Sequence, residues 1–140
     1  MTILLDTNVL SELQRFRPEP RVVTWLQDLA EADVRISVVT IGEIRRGISS
    51  MAAGRRKVAL EHWVSDDLIP RFSGRILPIT LAIAMAWGDL LAEAKASGIG
   101  LDVTDAWLAA TARTHRLSLA TRNVRDFEGF RLELIDPWSA

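Results

Sequence analysis

Five short, largely apolar runs, separated by stretches with helical spacing, constrain this chain more than any other feature. They are Ile3-Leu4-Leu5, Val34 to Val38, Arg75 to Leu77 before Pro78, Leu117 to Ala120 and Leu132 to Ile135. Runs of this length, rich in leucine and β-branched residues, mark buried strands. Between them lie helical patterns. From Arg21 to about Ala30, Val22, Val23, Leu26 and Leu29 share one face; Ile41, Ile44 and Ile48 define the next helix, capped by Thr40 or Ser37. Gly54-Arg55-Arg56-Lys57 makes a basic turn into a helix that reaches Ile69 and ends at Pro70. Thr80 opens an alanine-rich helix towards Ser97, stopped by Gly98 and Gly100, and Asp102 caps another through about Thr114. Strands alternating with helices require a parallel sheet covered on both faces. The expected fold class is α/β, one domain over residues 1–140.

Composition narrows the chemistry. With 49% hydrophobic and 25% charged residues the chain falls in the soluble globular range. The absence of cysteine removes disulfides, thiolate metal sites and cysteine nucleophiles. Met1 to Asp6 is too short an apolar start for a signal peptide, and no run approaches the ~20 residues of a membrane span. A cytoplasmic location is expected. The net charge of −1 gives no overall basic footprint, which disfavours a passive nucleic-acid-binding module.

Chemistry concentrates in acids. Ligand sites in open parallel sheets form beyond the carboxyl ends of the strands. Asp6 directly follows the first strand, Glu43 lies in the first turns of the helix after the second, and Asp105 lies early in the helix before the fourth. Thr121-Arg122-Asn123 leaves that fourth strand. Carboxylates crowded at ~4 Å repel by about 1 kcal/mol in water and by several at lower dielectric, a penalty that a divalent cation removes. Mg²⁺ suits such a site because it keeps several waters and takes few carboxylate ligands. It can activate a water and neutralise charge building on a phosphate. Each acid also has a plainer use: Asp6 as a helix cap, Asp105 as the capping-box partner of Asp102, Glu43 as a solvated helix residue. Their joint placement favours the site.

These residues carry a resemblance. Leu5-Asp6-Thr7-Asn8-Val9-Leu10 and Ser37 to Gly47 look like the opening motifs of PIN-domain proteins. Asp105 to Ala112 resembles the third motif, Ala120 to Phe127 the fourth, and Pro137-Trp138 the close of the family. The ordered set covers nearly the whole chain and is most similar to the VapC and FitB-like toxins of bacterial toxin–antitoxin pairs. The resemblance implies a three-layer α/β/α fold around a parallel sheet of four to five strands, and a homodimer. It implies Mg²⁺-dependent endoribonuclease activity, with Mn²⁺ as a substitute, restrained by a small protein antitoxin through which alone operator DNA is reached. It places catalytic and metal-binding roles on Asp6, Glu43 and Asp105, with support from Thr7, Asn8 and Thr121. The family's fourth acid often follows the Thr-Arg pair directly; here Asn123 stands there, able to orient a ligand but uncharged. Asp126 nearby is expected to face the surface or cap the following turn.

Arg45, Arg46 and Arg122 lie close enough in sequence to the acids to hold RNA phosphates, or else form surface ion pairs. His62 and His115 have no zinc-type spacing, and the five tryptophans sit among apolar helix residues, where packing is the better use. Two rival functions stay open. One is a catalytically weak PIN-like domain that acts through partner binding. The other is an aspartyl-phosphate phosphatase or receiver-like domain, against which Asn8 stands where a phosphatase needs a second Asp.

Overall fold

Ile3–Leu5 forms β1, Val34–Ser37 β2, Ile76–Leu77 β3, Ser118–Ala120 β4 and Leu134–Ile135 β5. In the computed structural model, which describes residues 1–140, these strands make one wholly parallel sheet in the order β3-β2-β1-β4-β5. β1 is therefore central. The chain builds outward from it to one side, then returns to build the other, so the crevice where loops diverge opens at the carboxyl ends of β1 and β4. The register aligns Leu5 with Ala120, which sets Asp6 beside Thr121.

Side chains along a strand alternate between faces, and β1 uses both. Ile3 and Leu5 join one core with Val9, Leu10, Val22, Ile36, Ile44 and Ile48. Leu4 enters the other with Ile83, Leu90, Leu108, Leu119, Phe127 and Phe130. The first layer is built by α1 (Thr7–Glu12), α2 (Pro20–Gln27), α3 (Val38–Ser49), α4 (Arg55–His62) and α5 (Ile69–Arg71). The second is built by α6 (Leu81–Ala96), α7 (Val103–His115) and the short α8 (Val124–Phe127). Alanines at 106, 109, 110 and 112, all buried, let α7 pack closely. The stacked rings of Trp87 and Trp107, 4.4 Å apart, join α6 to α7. The expected three-layer α/β/α arrangement is the one observed.

Several boundaries differ from the sequence-based expectation, each for a local reason. α2 stops at Gln27, and Ala30 leads into a 3₁₀ turn over Glu31–Asp33. Ser37 is the cap of α3, its hydroxyl accepting from the Val39 amide at 3.0 Å, while Thr40 is fully buried. The basic stretch after Gly54 is not a turn, because Arg55 already begins α4. Pro70 does not end the helical stretch either. A π-helical segment over Trp63–Leu68 intervenes, and Pro70 falls in the first turn of α5, where a missing N–H costs little. β5 begins two residues later than expected, at Leu134, a short way after Arg131 turns the chain with a left-handed conformation of φ 58°.

The core makes a direct prediction. Leu4 has no exposed surface and is surrounded by helices and the neighbouring strands. Leu4→Ala should cost roughly 2–5 kcal/mol, through lost transfer energy and the cavity left behind. Urea unfolding should show a lower midpoint with an unchanged slope.

Candidate functional site

Asp6 sits where the sheet order reverses, and its carboxylate is buried, only 6% of the residue being exposed. The fold compensates with donors. Thr7 N–H donates to Oδ1 at 2.6 Å, and the Thr121 hydroxyl to Oδ2 at 2.8 Å. The Asn8 side-chain amide also donates to Oδ2, at 3.3 Å. Asp6 thereby caps α1, so its plain structural use and its candidate chemical use coexist. Burial pushes its pKa up, the Thr121 and Thr7 donors pull it back, and the charge of Asp126 raises it again. The net shift is upward.

Glu43 lies in the second turn of α3, and the hydroxyls of Thr7 and Thr40, 3.4 Å apart, tie that helix to α1. Burial raises its pKa first, then the charges of Asp6 and Asp102; Arg46 works the other way. Asp105 is the third residue of α7. Its carboxyl is pushed up to about 6, by burial first and then by Asp6, Asp102, Asp126 and Glu43. The three predicted acids thus share one electrostatic neighbourhood. Two further acids belong to it. Asp102 is the cap of α7, its Oδ2 accepting from the amides of Thr104 and Asp105, yet its charge reaches Glu43 and Asp105. Asp126 is exposed, as expected, yet its charge acts on both Asp6 and Asp105. Its position on the four-residue α8 was the missing information, since a helix that short leaves no periodic pattern.

The donor set fits a hard divalent cation. It is all carboxylate, with negative charge in excess and Arg46 the one cation acting on Glu43. No three of these acids converge into a ready-made cage of ligands.

The supporting residues are distributed unevenly. Thr121 is fully buried and central: besides donating to Asp6, its hydroxyl accepts from the Asn123 amide at 3.0 Å and lies 3.5 Å from the Asn8 amide group. Asn8 in turn accepts from the Arg122 amide at 3.3 Å. Asn123 is exposed and precedes α8 without a side-chain cap bond. Of the three candidate arginines, only Arg46 acts on the acids. Arg45 is 3.5 Å from Glu61, and the Arg122 guanidinium lies 5.2 Å over the Trp138 ring. Sequence reasoning missed the buried Glu12, which accepts from Arg15 and from the Glu19 amide. Burial opposes its ionisation, but the Glu19 amide, Arg15 and Arg122 hold its carboxyl below the ordinary value. A groove of about 230 Å³ runs from Thr7 and Glu43, between α1 and α3, to Arg56 and Trp63. An apolar cavity of about 180 Å³, lined by Leu10, Leu26 and Phe72 among others, is reached by none of the acids.

Comparisons with known proteins agree with the fold. The family model described as PIN domain matches residues 3–130. The VapC ribonuclease Y4jK of Sinorhizobium fredii is 36% identical over 136 residues, 97% of each chain. The toxin FitB of Neisseria gonorrhoeae is 38% identical over 136 residues, 97% of this chain and 98% of that protein. A crystal structure of FitAcB from the same organism superposes with a TM-score of 0.94 at 37% identity, covering 99% of this chain and 100% of the other.

The raised carboxyl of Asp105 fixes a pH dependence. Its folded value of about 6 lies above the ordinary 3.8, so the neutral form favours the fold. That contribution is complete below about pH 4 and is lost as pH rises through about 6. Metal-free protein should therefore weaken over this window, and Asp105→Asn should weaken less, since only the raised carboxyls of Asp6 and Glu43 remain. At about pH 7.5 the variant should be the more stable by roughly 1 kcal/mol, the full shift being discounted for solvent screening. Urea unfolding in chelator at about pH 4 and pH 7.5 measures it. An equal difference at both pH values would remove Asp105 from the acid cluster.

Proposed function

This chain belongs to the PIN-domain family, and from that premise we propose that it is a Mg²⁺-dependent endoribonuclease, the toxin of a type II toxin–antitoxin pair. The observation that carries the reading is the crowding of Asp6, Glu43 and Asp105 at one end of the sheet, each with its carboxyl raised and with too few cations to balance them. The relatives named a ribonuclease and a toxin, matched over nearly their full length, support the substrate class and the biological role.

In this reading Asp6, Glu43 and Asp105 hold the metal, with Mn²⁺ able to replace Mg²⁺. When bound, the ion neutralises charge on the scissile phosphodiester and makes a water nucleophilic. The chain's own part is to hold the acids still. Thr121, Asn8 and the Thr7 amide fix both oxygens of Asp6, so it meets a ligand without reorganising. The bond between Thr7 and Thr40 sets α3, and with it Glu43, relative to α1. Arg46 is the cation placed to take a substrate phosphate beside the acids. Asn123, where the family often has an acid, limits the site to one firmly held metal.

A cognate protein antitoxin and a homodimer complete the reading, with operator DNA reached through the antitoxin. Support for a second copy comes from Leu81 and Met85, apolar residues one turn apart on α6 that are 79% and 66% exposed. No helix of the chain is long and apolar enough to cross a membrane.

Purified protein should cleave single-stranded RNA with Mg²⁺ or Mn²⁺ and stop on addition of EDTA; cleavage that persists in exhaustive chelator would overturn the assignment. Asp6→Asn should lower the rate by at least about 100-fold, the size expected when a group that stabilises the transition state is lost. Met85→Glu should sediment as a monomer at concentrations where the parent chain is dimeric.

A further inference from the structure

The edge of the sheet opposite the acids carries a second polar concavity. It has a volume of about 250 Å³, lies at the amino ends of β4 and β5, and is lined by Arg113, Arg116, Arg131, Ser118 and Glu133 among others. We propose that this is a binding site for a phosphate group, separate from the acidic pocket and beyond the nuclease reading.

Charge is the first argument. Three guanidiniums face one carboxylate in the lining. Arg113 is already committed, donating to Glu93 and to the Phe130 carbonyl. Arg116 and Arg131 are not: both are exposed, and neither side chain makes an ion pair or a hydrogen bond. Glu133 is likewise outside every ion pair, so the concavity is not neutralised from within.

Backbone conformation is the second. Arg116 and Arg131 are the two non-glycine residues of the chain with positive φ, at 55° and 58°. Where the chain takes positive φ elsewhere, at positions 74, 98 and 129, it uses glycine. Arg116 closes α7, the position at which a left-handed cap is usually glycine. Folding alone favours glycine at both places, yet both strained residues are arginines and both line the same concavity. Cations do suit the electronegative end of α7, which accounts for a charge at 116 but not for Arg131, which lies on no helix.

Ligand chemistry is the third. Two free guanidinium forks and the Ser118 hydroxyl, which has no partner within the chain, offer more donors than one carboxylate can accept. A tetrahedral phosphate has the oxygens to take them, and paired forks are the geometry that recognises it. The phosphate can belong to a single-stranded RNA backbone or to a free phosphate or pyrophosphate.

The test uses full-length protein without divalent metal, in phosphate-free buffer, so it does not depend on cleavage. Wild type is titrated with pyrophosphate and, separately, with a short single-stranded RNA carrying 2′-O-methyl riboses, following amide shifts and affinity. The amides of Leu117, Ser118 and Leu132 should move. The double variant Arg116→Gly/Arg131→Gly should keep or raise the melting temperature, because glycine accepts positive φ freely, while losing at least tenfold in affinity. If RNA is the source, the slope of log affinity against log salt should fall by about 1.4, roughly 0.7 for each lost phosphate contact. A response to pyrophosphate alone assigns the site to free phosphate, and a response to RNA assigns it to the backbone. Unmoved amides with both probes overturn the proposal, as does a double-glycine variant that binds like wild type. Equal binding of an acidic peptide with none of pyrophosphate also overturns it.

Discussion

A carboxylate buried at the end of the central strand is the constraint to which the surrounding structure answers. Asp6 is almost wholly withdrawn from water, and a buried charge without donors is among the costliest features a fold can carry. Three neighbours meet that need, and each comes from a place the topology dictates. Thr7 and Asn8 follow Asp6 into α1, while Thr121 arrives from far along the chain because β4 pairs with β1 in a register that sets Ala120 against Leu5. The parallel pairing of β1 with β4 is thus a condition for holding Asp6 as well as a packing arrangement.

The remaining acids make the end of the sheet deliberately uncomfortable. Burial raises the carboxyls of Asp6, Glu43 and Asp105 first, and the charges of Asp6, Glu43, Asp102 and Asp126 each add to the cost of ionising a neighbour. Asp102 is excused by its cap, and Asp6 partly by its donors. Asp105 has no such excuse: none of its side-chain oxygens receives a hydrogen bond, and its carboxyl carries the largest burden of charge. Packing alone would place a neutral residue there. Conformational strain and electrostatic repulsion persist at functional sites because the rest of the fold overdetermines them, and here two filled cores do so.

Legibility in the sequence followed the length scale of each feature. The sheet and its flanking helices were readable because apolar runs such as Ile3-Leu4-Leu5 and the spaced isoleucines of α3 are repeated signals. Asp6 and Asp105 were readable because they stand where a strand ends and where a helix begins. The segment from Trp63 to Pro70 was misread because a π-helical stretch shifts the phase of the pattern, which moved Pro70 from a terminator to a tolerated first-turn position. Asp126 is exposed, as expected, but its charge also reaches Asp6 and Asp105, which a single-turn α8 gave no pattern to show. Between phosphate contact and surface pairing the sequence could not decide for Arg45 and Arg122, because their contacts with Glu61 and Trp138 depend on side-chain reach, not on spacing in the chain.

The near-zero net charge conceals a separation that only the fold makes. At the carboxyl ends of β1 and β4, five acids share one neighbourhood; at the amino ends of β4 and β5, three arginines line a concavity with one glutamate. Over the whole chain 17 lysines and arginines nearly balance 18 acids, leaving −1, which is why composition offered no basic footprint. Parallel strands produce the separation naturally. Every strand points the same way, so residues that follow strands collect at one edge and residues that precede them at the other. An acid after β1 and an arginine before β4 are therefore on opposite sides of the molecule even though the two strands are hydrogen-bonded neighbours. A polyanion would be repelled by the acidic edge unless a cation sat there and would meet no such barrier at the other. The acidic end and the arginine end can then be varied independently, and two of the arginines stand at left-handed positions of the backbone.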